Sequence, residues 1–313
     1  MKMKTPPVLL ITFRRPDLVR KQLENISQAK PVRFYVAVDA PRKGNSDDER
    51  RVAEVKSIIA EYEEALHPVK LYQAENQGCG KGVSGAITWL FEHEEEGIIL
   101  EDDCYPDQSF YPYCAELLER YRNDPRVMQI AGYNRYQGLS PEYGESYRFS
   151  YHGWQWGWAT WRRAWKLFDI KLTQWEECKR RGFALSDSFC RSRLADCEDY
   201  SHGRGVDTWD LQWSCIMGMH RGLSPVPIKS LVTNIGAGYA CAHGVDTGKA
   251  RDLGVLVEPM KFPMIHPKFV VADLLYDAEI RKIANKWYAP HKVFRRFVGR
   301  ILRRIGILKP VKK

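Results

Sequence analysis

The chain has 313 residues, 44% of them hydrophobic and 28% charged, and a formal net charge of +9. Mean hydropathy is −0.45, and no run approaches the roughly 18 apolar residues that a spanning helix needs, which excludes a disordered chain and a polytopic membrane protein. The charge is uneven: residues 281–313 hold 12 Lys or Arg and no Asp or Glu, so the first 280 carry 48 − 12 = 36 cations against 39 anions. A slightly acidic body gives nucleic acid no electrostatic hold, so no nucleic-acid partner is expected.

Residues 8–13 are apolar-rich and an arginine pair follows them, which predicts a buried strand rather than a signal peptide, and a cytosolic protein. The first 130 residues then repeat one pattern. Residues 8–12 form a strand, and Pro16-Asp17 opens a helix with Val19, Leu23 and Ile26 on one face. Residues 34–38 form a strand ending at Asp39, and Asp47-Asp48-Glu49 starts a second helix with Val52, Val55, Ile58, Ile59 and Tyr62 as its buried stripe. A strand at 69–72, a helix at 83–91, a strand at 98–100, a helix at about 110–122 and a strand at 127–130 complete the series. Short apolar strands alternating with amphipathic helices predict a doubly wound, mainly parallel α/β sheet covered on both faces. Ligands on such sheets bind beyond the carboxyl ends of the strands, where Asp39 and Glu101-Asp102-Asp103 lie.

Past residue 135 the alternation stops, and residues 135–250 read as loops and irregular elements around a site. The 8 cysteines (79, 104, 114, 178, 190, 197, 215, 241) contain no CxxC pair, and reduced, mostly buried thiols are expected.

Four segments carry chemistry. Three consecutive carboxylates, Glu101-Asp102-Asp103, directly follow a buried strand. Their mutual repulsion is costly unless a cation sits among them, and hard divalent ions take oxygen ligands; the competing reading is a solvated acidic loop. Gly80-Lys81-Gly82-Val83-Ser84-Gly85 matches GxGxxG and opens a helix, as a nicotinamide-dependent oxidoreductase would require, but a ribose needs one carboxylate, not three. The preferred role for this turn is close backbone approach and anion contact beside Lys81. In residues 151–165, Trp161 and Trp165 stand at helical spacing and read as core. Trp154, Trp156 and Trp158 alternate around glycines and divide evenly between core and faces for a sugar ring. In residues 207–213, an aspartate beside tryptophans suits a general base, while Asp207 suits a cap for the helix that follows. Residues 233–239, with Gly236, read as a loop that closes over a ligand, and His243 beyond it as a contact to phosphate or metal.

Taken together, the blocks at residues 76–79, 98–104, 156–165, 208–213 and 230–238 resemble glycosyltransferases of the GT-A fold, the nucleotide-diphospho-sugar transferase fold. The nearer likeness is to the bacterial family 2, hemolytic-protein-like group; the more distant is to inverting N-acetylglucosaminyltransferases. The resemblance implies that Asp103 binds Mn2+ or Mg2+, that Asp102 lies near the ribose or the metal's water shell, and that Glu101 holds the donor sugar. It also implies that Trp209 packs on that sugar, that Asp210 is the base, and that Asp39 holds the nucleoside with Arg14 nearby. The sequence departs from the distant family after Trp209-Asp210, where that family has adjacent aspartates, and no counterpart of that family's membrane stem is expected.

The implied activity is metal-dependent, inverting transfer from a nucleotide-diphosphate sugar, UDP-sugar favoured, to a hydroxyl of a glycan or lipid-linked glycan in surface polysaccharide synthesis. The alternatives are a catalytically inactive carbohydrate-binding protein and the oxidoreductase. Residues 1–255 are expected to form the catalytic domain and 256–313 an extension ending in a basic amphipathic helix. Val293, Phe294, Phe297, Val298, Ile301, Leu302 and Ile305 line one side of that helix, which fits the inner face of the cell membrane; the competing reading is a helix docked on the domain with its basic face solvated.

Overall fold

The protein is described from a computed structural model covering residues 4–139, 141–182, 191–203, 205–236 and 255–287. Its first half follows the predicted series. β1 (Val8–Thr12), α1 (Pro16–Ala29), β2 (Phe34–Val38), α2 (Ser46–Glu61), α3 (Glu63–Leu66), β3 (Val69–Tyr72), α4 (Gly78–His93) and β4 (Glu96–Glu101) succeed one another. All five residues of β1 and of β2 are buried, as continuous apolar strands in the middle of a parallel sheet should be. Pro16 occupies the first turn of α1, and the Asn45 side chain caps α2 by accepting from the Asp48 backbone N–H at 3.0 Å. The helix expected at 83–91 starts five residues earlier, so the glycines from 80 to 85 lie inside α4 and form no turn.

β5 (Cys104–Pro106), α5 (Phe110–Arg120) and β6 (Gln129–Ala131) come next, then β7 (Tyr147–Ser150), β8 (Trp158–Trp161), α6 (Arg162–Trp165) and α7 (Trp175–Arg180). α8 (Arg191–Ser201), α9 (Asp210–Met219), β9 (Ser224–Pro227), β10 (Val232–Asn234) and α10 (Leu274–Trp287) complete the described elements. The central sheet runs β3-β2-β1-β4-β8-β6. β3, β2, β1 and β4 are mutually parallel, and β8 runs antiparallel between β4 and β6. This is a mixed α/β fold with a mainly parallel central sheet.

The pleat sorts β1 into two cores. Val8 and Leu10 face Val19, Leu23, Val55 and Ile59, while Leu9 and Ile11 face Ile87, Leu90 and a cluster of tryptophans. Trp161 and Trp165 are both buried as expected, but not on one helix: Trp161 closes β8 and Trp165 closes α6.

One expectation changes here. The reduced-thiol reading fails at Cys197 and Cys215, which form a disulfide because α8 packs beside α9 and brings their Cα atoms to 6.8 Å; sequence spacing carries no trace of that contact. Cys79, Cys104, Cys114 and Cys178 are free, and Cys190 and Cys241 lie outside the described residues. The segment past 255 is also tied to the body: Val257 bridges to Ser230, Ala272 bridges to Phe149, and Met264, Tyr276 and Ile280 are buried. No helix among the described residues is long and apolar enough to cross a membrane.

Candidate functional site

β1, β2 and β4 end side by side, so Thr12, Asp39 and Glu101-Asp102-Asp103 meet at one edge of the sheet. The hydrogen bonds divide these acids into two kinds.

Asp102 is buried, with 1% of its surface exposed, and both its oxygens are occupied. Thr12 Oγ1 donates to Oδ2 at 2.8 Å, and the Arg15 guanidinium pairs with Oδ1. The cation that the three carboxylates demand is therefore, in part, Arg15, whose second arm reaches Asp103 Oδ2 at 3.1 Å. Burial works against the Arg15 charge, but Asp102 and Asp103 outweigh it and hold its pKa above the usual value. Gln22 of α1, fully buried, donates to the Cys104 carbonyl at 2.7 Å and the Glu101 carbonyl at 3.2 Å and so fixes the path of the loop. Asp102 thus has a structural partner where contact with ribose or a metal's water was implied.

Asp39 and Asp207 form the second kind. Asp39 accepts from the Ala40 and Gln77 N–H groups at 2.9 Å each and from the Gly78 N–H at 3.2 Å. Asp207 accepts from the Cys79 and Gly80 N–H groups at 3.0 Å each. Four successive N–H groups at the start of α4 are thereby satisfied by two side chains. Asp207 caps α4 rather than its own helix, α9. The anion position sought beside Lys81 is filled by these carboxylates, and Asp39 is committed to them rather than left free for a nucleoside. Gly78 (φ +73°) and Gly80 are required here, because a Cβ on either would stand 2.6 and 2.4 Å from the Asp207 oxygens. Burial raises the Asp39 pKa, and the N–H groups of Gln77, Ala40 and Gly78 oppose that rise.

Other candidates are placed elsewhere. Arg14 pairs with Asp47 at 2.7 Å and Asp48 at 2.6 Å, so it anchors α2. Lys81 lines a groove with Ser84, Thr88, Phe168, Asp169 and Lys171, to which none of Asp39, Glu101, Asp102, Asp103, Asp207 and Asp210 contributes. Trp158 and Trp209 are 1% and 2% exposed and stack on each other with ring centroids 5.6 Å apart. Neither offers a face to a sugar, since both fill the core under β8 and α9. Of the alternating tryptophans, Trp154 and Trp156 are the partly exposed ones, packed against Tyr133. His243 lies outside the described residues.

Glu101, Asp103, Asp210 and Gly236 remain together. β5 pairs with β10 so that Asn234 faces Cys104, and Ile235 N–H donates to the Asp103 carbonyl at 2.8 Å. Gly236 then packs so tightly on Asp103 that a Cβ would stand 2.9 Å from its side chain. Asp210 opens α9, is exposed, and accepts at Oδ1 from the Thr208 hydroxyl and the Leu211 N–H. No described residue contacts its Oδ2 within hydrogen-bond range, and none bonds the Glu101 carboxylate. The apolar wall expected around Asp210 is missing, because Trp209 and Leu211 turn into the core. Burial, with Asp103 and more weakly Asp102 and Asp210 nearby, pushes the Glu101 pKa up to about 8. Burial also raises the Cys79 thiol, and the charges of Glu101, Asp210, Asp207 and Asp103 add to the effect.

Among the described residues, three metal-binding atoms fall within 4.8 Å of one another only at Glu176, Glu198 and His202, where Lys179 Nζ already lies 3.1 and 2.7 Å from the two carboxylates. At the β4 edge the donors are two hard carboxylates: Glu101, unpartnered, and Asp103, shared with Arg15. Mg2+ and similar ions are commonly held by one or two carboxylates with substrate phosphates completing the shell, and the residues fit that arrangement.

Arg15, Thr12 and Gln22 were not read from the sequence, and Asp207 was read as a cap but on the helix that follows it rather than on α4. The adjacent arginines at 14 and 15 were a signal for Arg15, since a buried carboxylate such as Asp102 needs a cation against it.

No protein-family model and no curated protein matches the chain. One matching solved structure is "The Crystal Structure of UDP-glucose pyrophosphorylase complexed with UDP-glucose". It shares 7% sequence identity and a TM-score of 0.35, over 70% of this chain and 89% of that one.

Proposed function

We propose that the chain is a GT-A-fold glycosyltransferase that moves a sugar, with inversion, from a nucleotide-diphosphate sugar to an acceptor hydroxyl of a glycan. The observation that carries this reading is that Glu101 and Asp103 follow β4 at the carboxyl edge of the sheet and Asp210 opens α9 near Glu101, each keeping a carboxylate oxygen that no described backbone N–H claims, unlike Asp39 and Asp207.

Asp103, with Glu101 beside it, would hold Mn2+ or Mg2+, which would supply charge stabilisation to the departing diphosphate. The free Oδ2 of Asp210 takes the proton of the acceptor hydroxyl. That oxygen attacks the anomeric carbon as the bond from that carbon to the diphosphate oxygen breaks, leaving nucleoside diphosphate. Thr208 and the Leu211 N–H fix Oδ1 and so aim Oδ2 outward. Arg15 keeps Asp102 and Asp103 from repelling one another before a donor arrives.

The oxidoreductase reading loses its main support, since the start of α4, where a pyrophosphate would dock, already holds two carboxylates. The inactive sugar-binding reading differs by consuming no donor. Release of nucleoside diphosphate from a panel of UDP-, GDP-, TDP- and CMP-sugars, with and without Mn2+, separates the two. Asp103→Ala is expected to abolish Mn2+-dependent donor binding in calorimetric titration while the melting temperature holds; unchanged donor affinity would remove Asp103 from the metal site.

A further inference from the structure

Residues 260–273 form a strap along β7. Ser146 N–H donates to the Ile265 carbonyl at 2.8 Å, Ile265 N–H to Ser146 Oγ at 2.9 Å, and Asp273 N–H to the Phe149 carbonyl at 2.8 Å. Its inward side chains are Met264, His266, Val270 and Ala272. Met264 belongs to the core, Val270 and Ala272 pack on it, and His266 contacts the Tyr147 hydroxyl and Glu116 at 3.0 Å each.

In an extended chain pinned on one side, the alternate positions face solvent and are ordinarily polar. Here they are Ile265, Phe269 and Val271, exposed by 61%, 63% and 61%, and Leu274 and Leu275 continue the series at the start of α10 with 53% and 62%. Single exposed apolar residues are ordinary, but a run of large ones on one fixed strap marks a surface that is covered in use.

Charge identifies the cover. The strap's one acid, Asp273, is tied to Arg148 at 2.8 Å. Lys261 and Lys268 are exposed along it, and Lys268 Nζ lies 5.3 Å from the centre of the Phe269 ring. The chain then runs through α10 into the stretch of 12 cations without an acid at residues 281–313. A second copy would bring the same cations and repel.

We propose that the strap is a lipid-contact element: its outward apolar side chains enter the interface of an anionic bilayer while Lys261 and Lys268 meet the headgroups. This stands apart from the transferase reading and needs no donor or acceptor.

The test is co-sedimentation of the full chain with vesicles of phosphatidylcholine alone or mixed with phosphatidylglycerol. The parent protein is expected to bind only the mixed vesicles. The triple variant I265S/F269S/V271S is expected to lose about tenfold or more in partitioning, and K261E/K268E to lose binding in a salt-dependent way. The altered side chains face solvent, so the melting temperature should hold. Should the triple variant not fold, Phe269→Ser and K261E/K268E decide the question, and unchanged partitioning in both overturns the proposal. Partitioning of the triple variant equal to the parent overturns it as well. So does stronger partitioning, which would mean that the strap holds the chain's own C-terminal segment. A parent dimer that the triple variant makes monomeric, with no change on vesicles, assigns the strap to a second copy and also overturns it.

Discussion

Asp39 and Asp207 on the one hand, and Glu101, Asp103 and Asp210 on the other, are five acids of one chemical class around the carboxyl end of the sheet and the start of α4. The first pair is consumed by four backbone N–H groups at the start of α4. The second set keeps oxygens that no described backbone group claims. The difference separates acids that build the cleft from acids that can act in it, and hydrogen-bond accounting draws the line where residue type does not.

The sharpest way to break this division is at Asp210. Asp210→Asn keeps the shape but cannot take a proton, and single-turnover transfer is expected to fall about 10²–10⁴-fold with donor affinity little changed. Asp207→Asn is expected to leave the chemical step within tenfold. Reversal of those two results would exchange the roles of the acids. At Arg15 the division is tested from beneath: Arg15→Leu leaves Asp102 buried without its cation, and denaturant unfolding is expected to show a loss of roughly 3–5 kcal/mol. Little change would mean that Asp102 takes up a proton in the variant.

Weaker effects follow at the cap. Gly80→Ala would place a Cβ 2.4 Å from Asp207 Oδ1, so the carboxylate has to leave and α4 loses a cap, at about 1–2 kcal/mol in thermal unfolding. The variant Gly80→Ala/Asp207→Ala is expected to be no worse than Asp207→Ala alone, because the obstacle is then gone.

Asp277 supplies a control far from the cleft. It is fully buried, accepts from Ser150 Oγ and the Tyr151 N–H, and burial raises its pKa to about 6. The folded state then holds a proton between about pH 4 and 6 that the unfolded chain has released, so stability falls as pH rises through that window and levels above it. The change amounts to about 3 kcal/mol in all, and urea melts of Asp277→Asn across the window are expected to lack it.

The regular half of the fold was legible because its physics is local. β1, β2 and β3 begin and end where the apolar runs do, and Pro16 and the acids at 47–49 mark real helix starts. β8 was not legible. It inserts between β4 and β6, is buried on both faces, and follows Gly157 at φ +63°, so it has neither the alternation of a half-buried strand nor a conventional turn before it. The site was legible in part. Three acids after a buried strand announced a cation, but not that a guanidinium would be one. The glycine at 80 signalled close approach, but it is a side chain from residue 207 that approaches it, and Gly78 with it, a contact across more than a hundred residues. Trp158 and Trp209 failed as sugar platforms for the same reason, since whether a tryptophan is core or wall depends on what packs on its other face.

The bond between Cys197 and Cys215 turns the chain from one to the other into a covalent ring, and Asp207 and Asp210 both ride on it. With a sequence separation of 18, such a ring removes about 3 kcal/mol of chain freedom from the unfolded ensemble in the loop-closure picture. It also bounds how far the two acids can stray from α8 during any local opening. A thiol reductant therefore lengthens the tether of the capping acid and of the proton acceptor together, while the sheet edge that carries Glu101 and Asp103 keeps its own attachment through Gln22 and Arg15.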